Sequence, residues 1–247
     1  MIVRRIEEMT LNAWPALYQK LYDGWVIRYS DGFTKRCNSV IAMYGGTKTF
    51  EEKVAFCENY YKERNIRTMF RINEHVSDKY LDDYLEKRGY EKKHINSVLT
   101  LDIDESEYLQ REKNIVVDTI SDDHWSDFMA KNFHLNEKET EIMYRMLSNV
   151  GEKAKYFSLK DNNGEIISAA VGIIEDDFFG IYNLVVDEKQ REKGFGKTMM
   201  EGILDYGRLK NLDKAYLQVS MSNTKAYEFY MNMGFKEEYN YWYRCKE

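Results

Sequence analysis

The stretch Ile181–Met200, IYNLVVDEKQREKGFGKTMM, constrains the fold of this chain more than any other. Ile181, Tyr182, Leu184, Val185 and Val186 form a near-continuous apolar run, the pattern of a strand buried on both faces. A polar turn follows over Asp187–Lys193, and then Gly194-Phe195-Gly196. Phe195, Met199, Ile203, Leu204 and Tyr206 then recur at helical spacing. The unit is therefore strand, basic glycine turn, helix. Two glycines let the backbone turn tightly and come close to an anion. The first amides of a helix lack partners within it, and the helix dipole adds positive potential at that end. Arg191, Lys193 and Lys197 surround the turn in a chain whose formal net charge is −6. Such a unit can hold a diphosphate.

Three phosphate motifs compete for it. A dinucleotide fingerprint needs a small residue three places after Gly196, where Met199 stands. A P-loop matches at Gly196-Lys197-Thr198 but needs glycine where Arg191 stands. The pattern Arg-x-x-Gly-x-Gly fits, as Arg191, Gly194 and Gly196. In this the segment closely resembles the pyrophosphate loop of the GNAT superfamily, the acetyl-CoA-dependent N-acyltransferases. Farther on, Lys214–Ser220 alternates as a strand. Asn223–Met233 has a helical pattern with Asn223 as N-cap, and Gly234 stops it before Phe235. Asn223, Ala226, Phe229-Tyr230 and Gly234-Phe235 resemble the second GNAT motif.

The resemblance implies an α+β fold, a mixed sheet flanked by helices. The order read over residues 115–247 agrees with it. Val116–Ile120 reads as a strand, followed by helices over Ser121–Asn132, capped by Ser121, and Glu137–Asn149. Lys155–Lys160 and Ile166–Ile174 pair across the turn Asp161-Asn162-Asn163-Gly164, and Phe178–Val186 completes the sheet.

The first half reads as a fainter version of the same plan. Residues 1–23 suggest a short strand and then a polar helix. Gly24–Tyr29 and Arg36–Met43 read as a hairpin, Phe50–Arg64 as a helix and Arg67–Ile72 as a strand. Ser77–Arg88 reads as a helix capped by Ser77, and Ile95–Ile103 as a strand. Gly89-Tyr90 precedes Gly234-Phe235 by 145 residues (234 − 89), and LDDYLEKRGYEK shadows AYEFYMNMGFKE. At that offset Arg191, Gly194 and Gly196 map to Gly46, Thr49 and Glu51, and Tyr230 maps to Leu85. The first copy thus lacks the basic glycine turn. The expected organisation is a degenerate GNAT-like domain over 1–103, a polar linker over 104–114, and a catalytic GNAT domain over 115–247. The first half can pack against the second, wall its cleft, or dimerise.

The family resemblance also implies site roles. Leu184 and Val186 would pair their main chain with the pantetheine arm, with a free N–H near Leu184 or Val185 meeting the oxyanion. Arg191, Glu192, Lys193, Gly194, Phe195, Gly196 and Lys197 would carry the pyrophosphate, and Asn223 would reach the arm. Tyr230 would protonate the departing thiolate, since a phenol near pKa 10 can hand a proton to a thiol near 8.5. Some relatives place a glutamate base where this chain has Gly180. Glu175, Asp176, Asp177 and His134 are the remaining candidates for a base.

Composition closes other routes. The acidic balance leaves no electrostatic footprint for nucleic acid, and no apolar run is long enough to span a bilayer. The cysteines, 3 in all, have no metal-ligand spacing and fit a reduced, cytoplasmic setting. The expectation is a metal-free cytoplasmic N-acetyltransferase using acetyl-CoA and an amine-bearing acceptor. The rival is a non-catalytic acetyl-CoA sensor or assembly subunit.

Overall fold

The computed structural model describes residues 2–103 and 115–246, so the linker expected over 104–114 lies outside the described residues. The chain divides into two compact units. Unit 1 is Met1–Val98 with Val219–Tyr227 and Glu237–Glu247, and unit 2 is Leu99–Gln218 with Glu228–Lys236.

Unit 1 begins with α1 (Ile2–Ala13), followed by β1 (Tyr18–Tyr22) and β2 (Trp25–Tyr29). The reading of residues 1–23 thus had its strand and helix in reverse order. Asp23 and Gly24 join β1 to β2 with φ of 44° and 82°, the left-handed pair that a two-residue hairpin requires. β3 (Val40–Ala42) pairs antiparallel with β2, and β4 (Met69–Ile72) pairs parallel with β3 after the crossover helix α2 (Phe50–Lys62). A capping box between Thr49 and Glu52 starts α2. The next helix, α3 (Leu81–Lys87), starts later than expected. Ser77 does not cap it, because the Ser77 hydroxyl accepts from the Asn73 N–H. The core packs Trp25, Ile27, Val54, Tyr61, Phe70 and Leu85 between sheet and helices.

Unit 2 holds β6 (Ile115–Asp118), α4 (Asp123–Phe133), α5 (Glu137–Ser148), β7 (Ala154–Lys160), β8 (Ile166–Glu175), β9 (Phe178–Val186), α6 (Phe195–Leu209) and β10 (Lys214–Ser220, its last two residues in unit 1). The cap of α4 is Asp122 rather than Ser121, whose hydroxyl pairs with Tyr156. Strands run in the order β10-β9-β8-β7-β6, with β9–β10 parallel and the other pairs antiparallel. Phe157, Phe179 and Tyr206 cluster beneath α6 with ring centroids 5.4–6.2 Å apart.

The offset of 145 recurs in the elements themselves. α2 starts at Phe50 and α6 at Phe195 (195 − 50), and β4 starts at Met69 and β10 at Lys214 (214 − 69). β5 (Glu91–Asp102) and β11 (Lys236–Cys245) also start 145 apart (236 − 91). Even the helix stops match. Tyr90 N–H donates to Leu85 O at 3.0 Å after α3, and Phe235 N–H donates to Tyr230 O at 3.2 Å after α7 (Thr224–Asn232). Gly89 and Gly234, at φ of 85° and 91°, supply the left-handed residue in each case.

The units do not follow the division expected from the sequence, because the last strand belongs to unit 1. There the order is β1-β2-β3-β4-β11, and Trp242↔Ile72 through Cys245↔Met69 set the antiparallel register of β11 on β4. Arg244 fastens this strand. Its guanidinium grips both Asp82 oxygens at 2.7 Å and also donates to Tyr90 O at 3.0 Å. Trp242 Nε1 donates to Asp82 at 2.8 Å. β5 divides between the units after Val98. Its own copy of the strand therefore does not fill this slot beside β4.

Candidate functional site

The site lies in unit 2, where β9 parts from β10. Their register runs from Lys214↔Phe178 to Leu217↔Ile181 and stops there, although β9 continues to Val186. A register shift against β8 between Ala169 and Val171, with Asn183 at φ 52°, bends β9 at this point. Residues 183–186 are half-exposed, unlike the buried first half of the strand. The Ser168 hydroxyl donates to Val185 O at 2.8 Å and holds the bent segment on β8. Leu184, Val185 and Val186 therefore line a forked edge whose main chain is not taken up by the register with β10.

Beyond the fork, the chain turns through Asp187–Gly194 into α6. Asp187 is the hinge of this turn. The Lys131 ammonium at 3.0 Å and the Lys189 N–H hold its carboxyl below the usual carboxylate range. Glu192 and Gly194 both have positive φ, 64° and 89°. Alternating conformations of this kind turn successive N–H groups toward one side. The Lys197 and Thr198 N–H groups donate to Gly194 O, while Phe195 and Gly196, as the first residues of α6, have no intrahelical acceptor. Arg191 Nε donates to Val186 O at 3.3 Å, tying the loop back to the fork. Lys193 turns to Gln190, and Lys197 stands 3.7 Å from Glu201.

A cavity of about 420 Å³ opens at this helix start. Val186, Arg191, Glu192, Gly194, Phe195, Gly196 and Lys197 line it, all of them singled out from the sequence. Gln190, Phe229, Asn232 and Met233 complete the wall and were not foreseen as site residues. Phe229, Asn232 and Met233 stand at i, i+3 and i+4 on and just beyond α7, a spacing that marks one helix face. Leu184, Val185, Lys193, Asn223 and Tyr230 are not among the lining residues. Asn223 caps α7, its side chain accepting from the Ala226 N–H at 3.2 Å. Tyr230 packs edge-on to Phe229 and Phe235, with centroids 5.1 and 5.9 Å away, and burial pushes its hydroxyl up to about 12.

No carboxylate could stand at Gly180. A Cβ there would fall 2.6 Å from the Tyr216 hydroxyl, which itself lies 3.2 Å from the Tyr182 hydroxyl. A pair of buried phenols fills the space. Glu175, Asp176 and Asp177 sit at the far end of β9, roughly 25 Å along the strand from Val186. His134 ends α4 in a left-handed conformation and lies 3.8 Å from Glu188, on the outer side of the loop.

A family model described as "Probable histone acetyltransferase Rv0428c C-terminal" matches residues 2–244. The chain belongs to this family, within the GNAT superfamily. Among its relatives, an uncharacterized N-acetyltransferase YobR of Bacillus subtilis is 25% identical over 99% of this chain and 98% of its own. The [ribosomal protein bS18]-alanine N-acetyltransferase of Escherichia coli is 29% identical over 36% of this chain and 60% of its own. A GCN5-related N-acetyltransferase from Kribbella flavida shares the fold, with a TM-score of 0.72 at 11% identity over 99% of this chain and 95% of its own. A tandem GNAT protein from the clavulanic acid biosynthesis pathway superposes at TM-score 0.60 and 11% identity, covering 84% of this chain and 75% of its own. This GNAT chain is an acetyltransferase with the α+β fold that its loop motif implied. Among its described residues, no helix is long and apolar enough to cross a membrane.

Proposed function

We propose that this chain moves an acetyl group from acetyl-CoA to a primary amine of a small molecule or peptide, by direct attack. The observation that carries the reading is the junction of the forked strand with the cavity at the start of α6. One offers main chain to an extended amide-bearing arm, and the other offers free N–H groups to a diphosphate. The fit is supported at Gly196, where a Cβ would meet Val186 and Phe229 at 3.7 and 3.9 Å and so stand in the cavity.

In this reading Arg191 and the N–H groups of residues 192–196 hold the pyrophosphate, helped by Lys197. Leu184 and Val186 pair with the pantetheine amides. Bound acetyl-CoA supplies an activated thioester. An N–H near Leu184 or Val185 steadies the carbonyl oxygen as the amine adds. The C–N bond forms, the C–S bond breaks, and the phenol of Tyr230 faces the departing sulfur. With its pKa near 12, Tyr230 keeps its proton throughout the working range. Full transfer to a thiolate of pKa about 8.5 would be uphill by about 5 kcal/mol at 1.36 kcal/mol per unit. Tyr230 therefore acts by donating a hydrogen bond to the thiolate, and the sulfur gains its proton, through solvent, from the nitrogen that becomes an ammonium once the neutral amine has added. An amine that is already neutral needs no dedicated base, which suits a strand with glycine at position 180.

The acceptor is an amine, the reaction is cytoplasmic, and the cysteines Cys37, Cys57 and Cys245, all unpaired and buried, are in keeping with a reducing compartment. The test is release of free CoA thiol from acetyl-CoA over a panel of small amines and peptide N-termini. Saturable release with at least one amine is expected. Tight acetyl-CoA binding without release on any amine would refute catalysis, and no binding would refute the cofactor.

A further inference from the structure

Asp23 sits in the turn between β1 and β2, yet its carboxylate serves a different segment. The Thr47 N–H donates to its two oxygens at 2.9 and 3.0 Å, the Thr47 hydroxyl at 3.0 Å and the Lys48 N–H at 2.9 Å. The Lys53 side chain is 3% exposed, and its Nζ lies 3.2 Å from Oδ2 and donates to Asp23 O at 2.6 Å. Gly46 leaves room for the carboxylate, since a Cβ there would fall 2.2 Å from Oδ2. The N–H groups of Thr47 and Lys48 hold the carboxyl far below its ordinary range.

The position of this cluster gives it meaning. At the offset of 145, Gly46, Thr47, Lys48 and Lys53 correspond to Arg191, Glu192, Lys193 and Thr198. Both sets form the loop and first turn of the same crossover helix, α2 in one unit and α6 in the other. The C-terminal copy presents a cavity there. The N-terminal copy presents a carboxylate of its own chain. Two amides, a hydroxyl and an ammonium are donors that a phosphate oxygen would also use.

We propose that Asp23 is a built-in counter-anion that keeps the N-terminal copy of the loop filled, so that each chain takes up a single coenzyme A. The count of one rests on the cofactor reading above, whereas the role of Asp23 does not. Without the carboxylate, Lys53 keeps its bond to the carbonyl of residue 23 and its place over the Trp25 ring but loses its counter-charge, and two amides beside it are left open, a state that an inorganic anion relieves.

The test uses the full chain. Glycine accepts the φ of 44° at position 23, so Asp23→Gly removes the carboxylate and keeps the turn. In a Gly196→Val background, which obstructs the C-terminal cavity, millimolar inorganic pyrophosphate should raise the melting temperature of Asp23→Gly by about 3 °C or more. The parent with Asp23 in place should move by less than about 1 °C. No shift in Asp23→Gly, or equal shifts in both, overturns the proposal. Calorimetry on the unaltered chain gives a second readout that needs no variant. One coenzyme A per chain is expected, and two would overturn the proposal. If none binds, the cofactor reading fails instead, and the pyrophosphate comparison still decides the role of Asp23.

Discussion

The two loop glycines do different physical work, and replacing each by alanine separates them. Gly194 stands at φ 89° with nothing within 4 Å of where a Cβ would be. Alanine there meets no clash but is forced into a left-handed conformation, at a cost of about 1–2 kcal/mol. For a chain of this size, that lowers the melting temperature by about 2–8 °C. Gly196 has no such backbone demand, and its Cβ would make only ordinary contacts with Val186 and Phe229. Being inside α6, it gains helix propensity on substitution, up to about 1 kcal/mol, so the fold should hold or strengthen slightly. The added methyl nevertheless stands where a phosphate must approach, and coenzyme A affinity should fall at least about tenfold, or 1.4 kcal/mol. Thermal melts and calorimetric titration with coenzyme A on both variants provide the assay. Gly196→Ala that binds coenzyme A as tightly as the parent, or that melts well below it, would refute the assignment of the cavity.

Tyr230→Phe should reduce turnover about 10- to 150-fold, the worth of one hydrogen bond to a charged atom, and leave the shape of the pH–rate profile from pH 7 to 10 unchanged. A lost alkaline limb in the variant would show that the phenol titrates during turnover. Gly180→Ala should destabilise unit 2 by about 1–3 kcal/mol, because the methyl strikes Tyr216; urea melts with unchanged midpoints would contradict this. Arg244→Ala should cost about 3 kcal/mol in the same assay, since it leaves Asp82 with the Trp242 bond alone and frees the end of β11. Asp82 is partly buried, which raises its pKa, but bonds from Arg244 and Trp242 outweigh this and lower it. Its contribution is therefore present above pH about 4 and lost as pH falls through the lowered folded value, and Asp82→Asn should flatten the acid limb of stability.

The second half of the chain was the more legible because its signals are local. The run from Tyr182 to Val186, the glycines at 194 and 196 and the cap at Asn223 each act within a few residues of themselves. The walls of the cavity were harder, since Asn232 and Met233 gain meaning only once α7 is set beside the loop. Caps misled where two candidates adjoined, as Ser121 and Asp122 did, because either oxygen can reach the same amide. Near the start of the chain, YQKLY at Tyr18–Tyr22 is exposed along almost its whole length and lacks the alternation that marks a half-buried strand. Least legible was the partner of the last strand. Pairing of Trp242 with Ile72 joins residues far apart in the chain, and no local pattern announces it.

A premature stop just before Lys236 would spare every residue of the loop and Tyr230, yet the injury would appear near the start of the polypeptide. β4 would be left as a naked edge, an invitation to aggregation, and α3 would lose the arginine that pins it. A gene trimmed to its first half would meet the same fate. The two copies of the plan are thus bound to be inherited together, since the finishing strand of the first is encoded after the second.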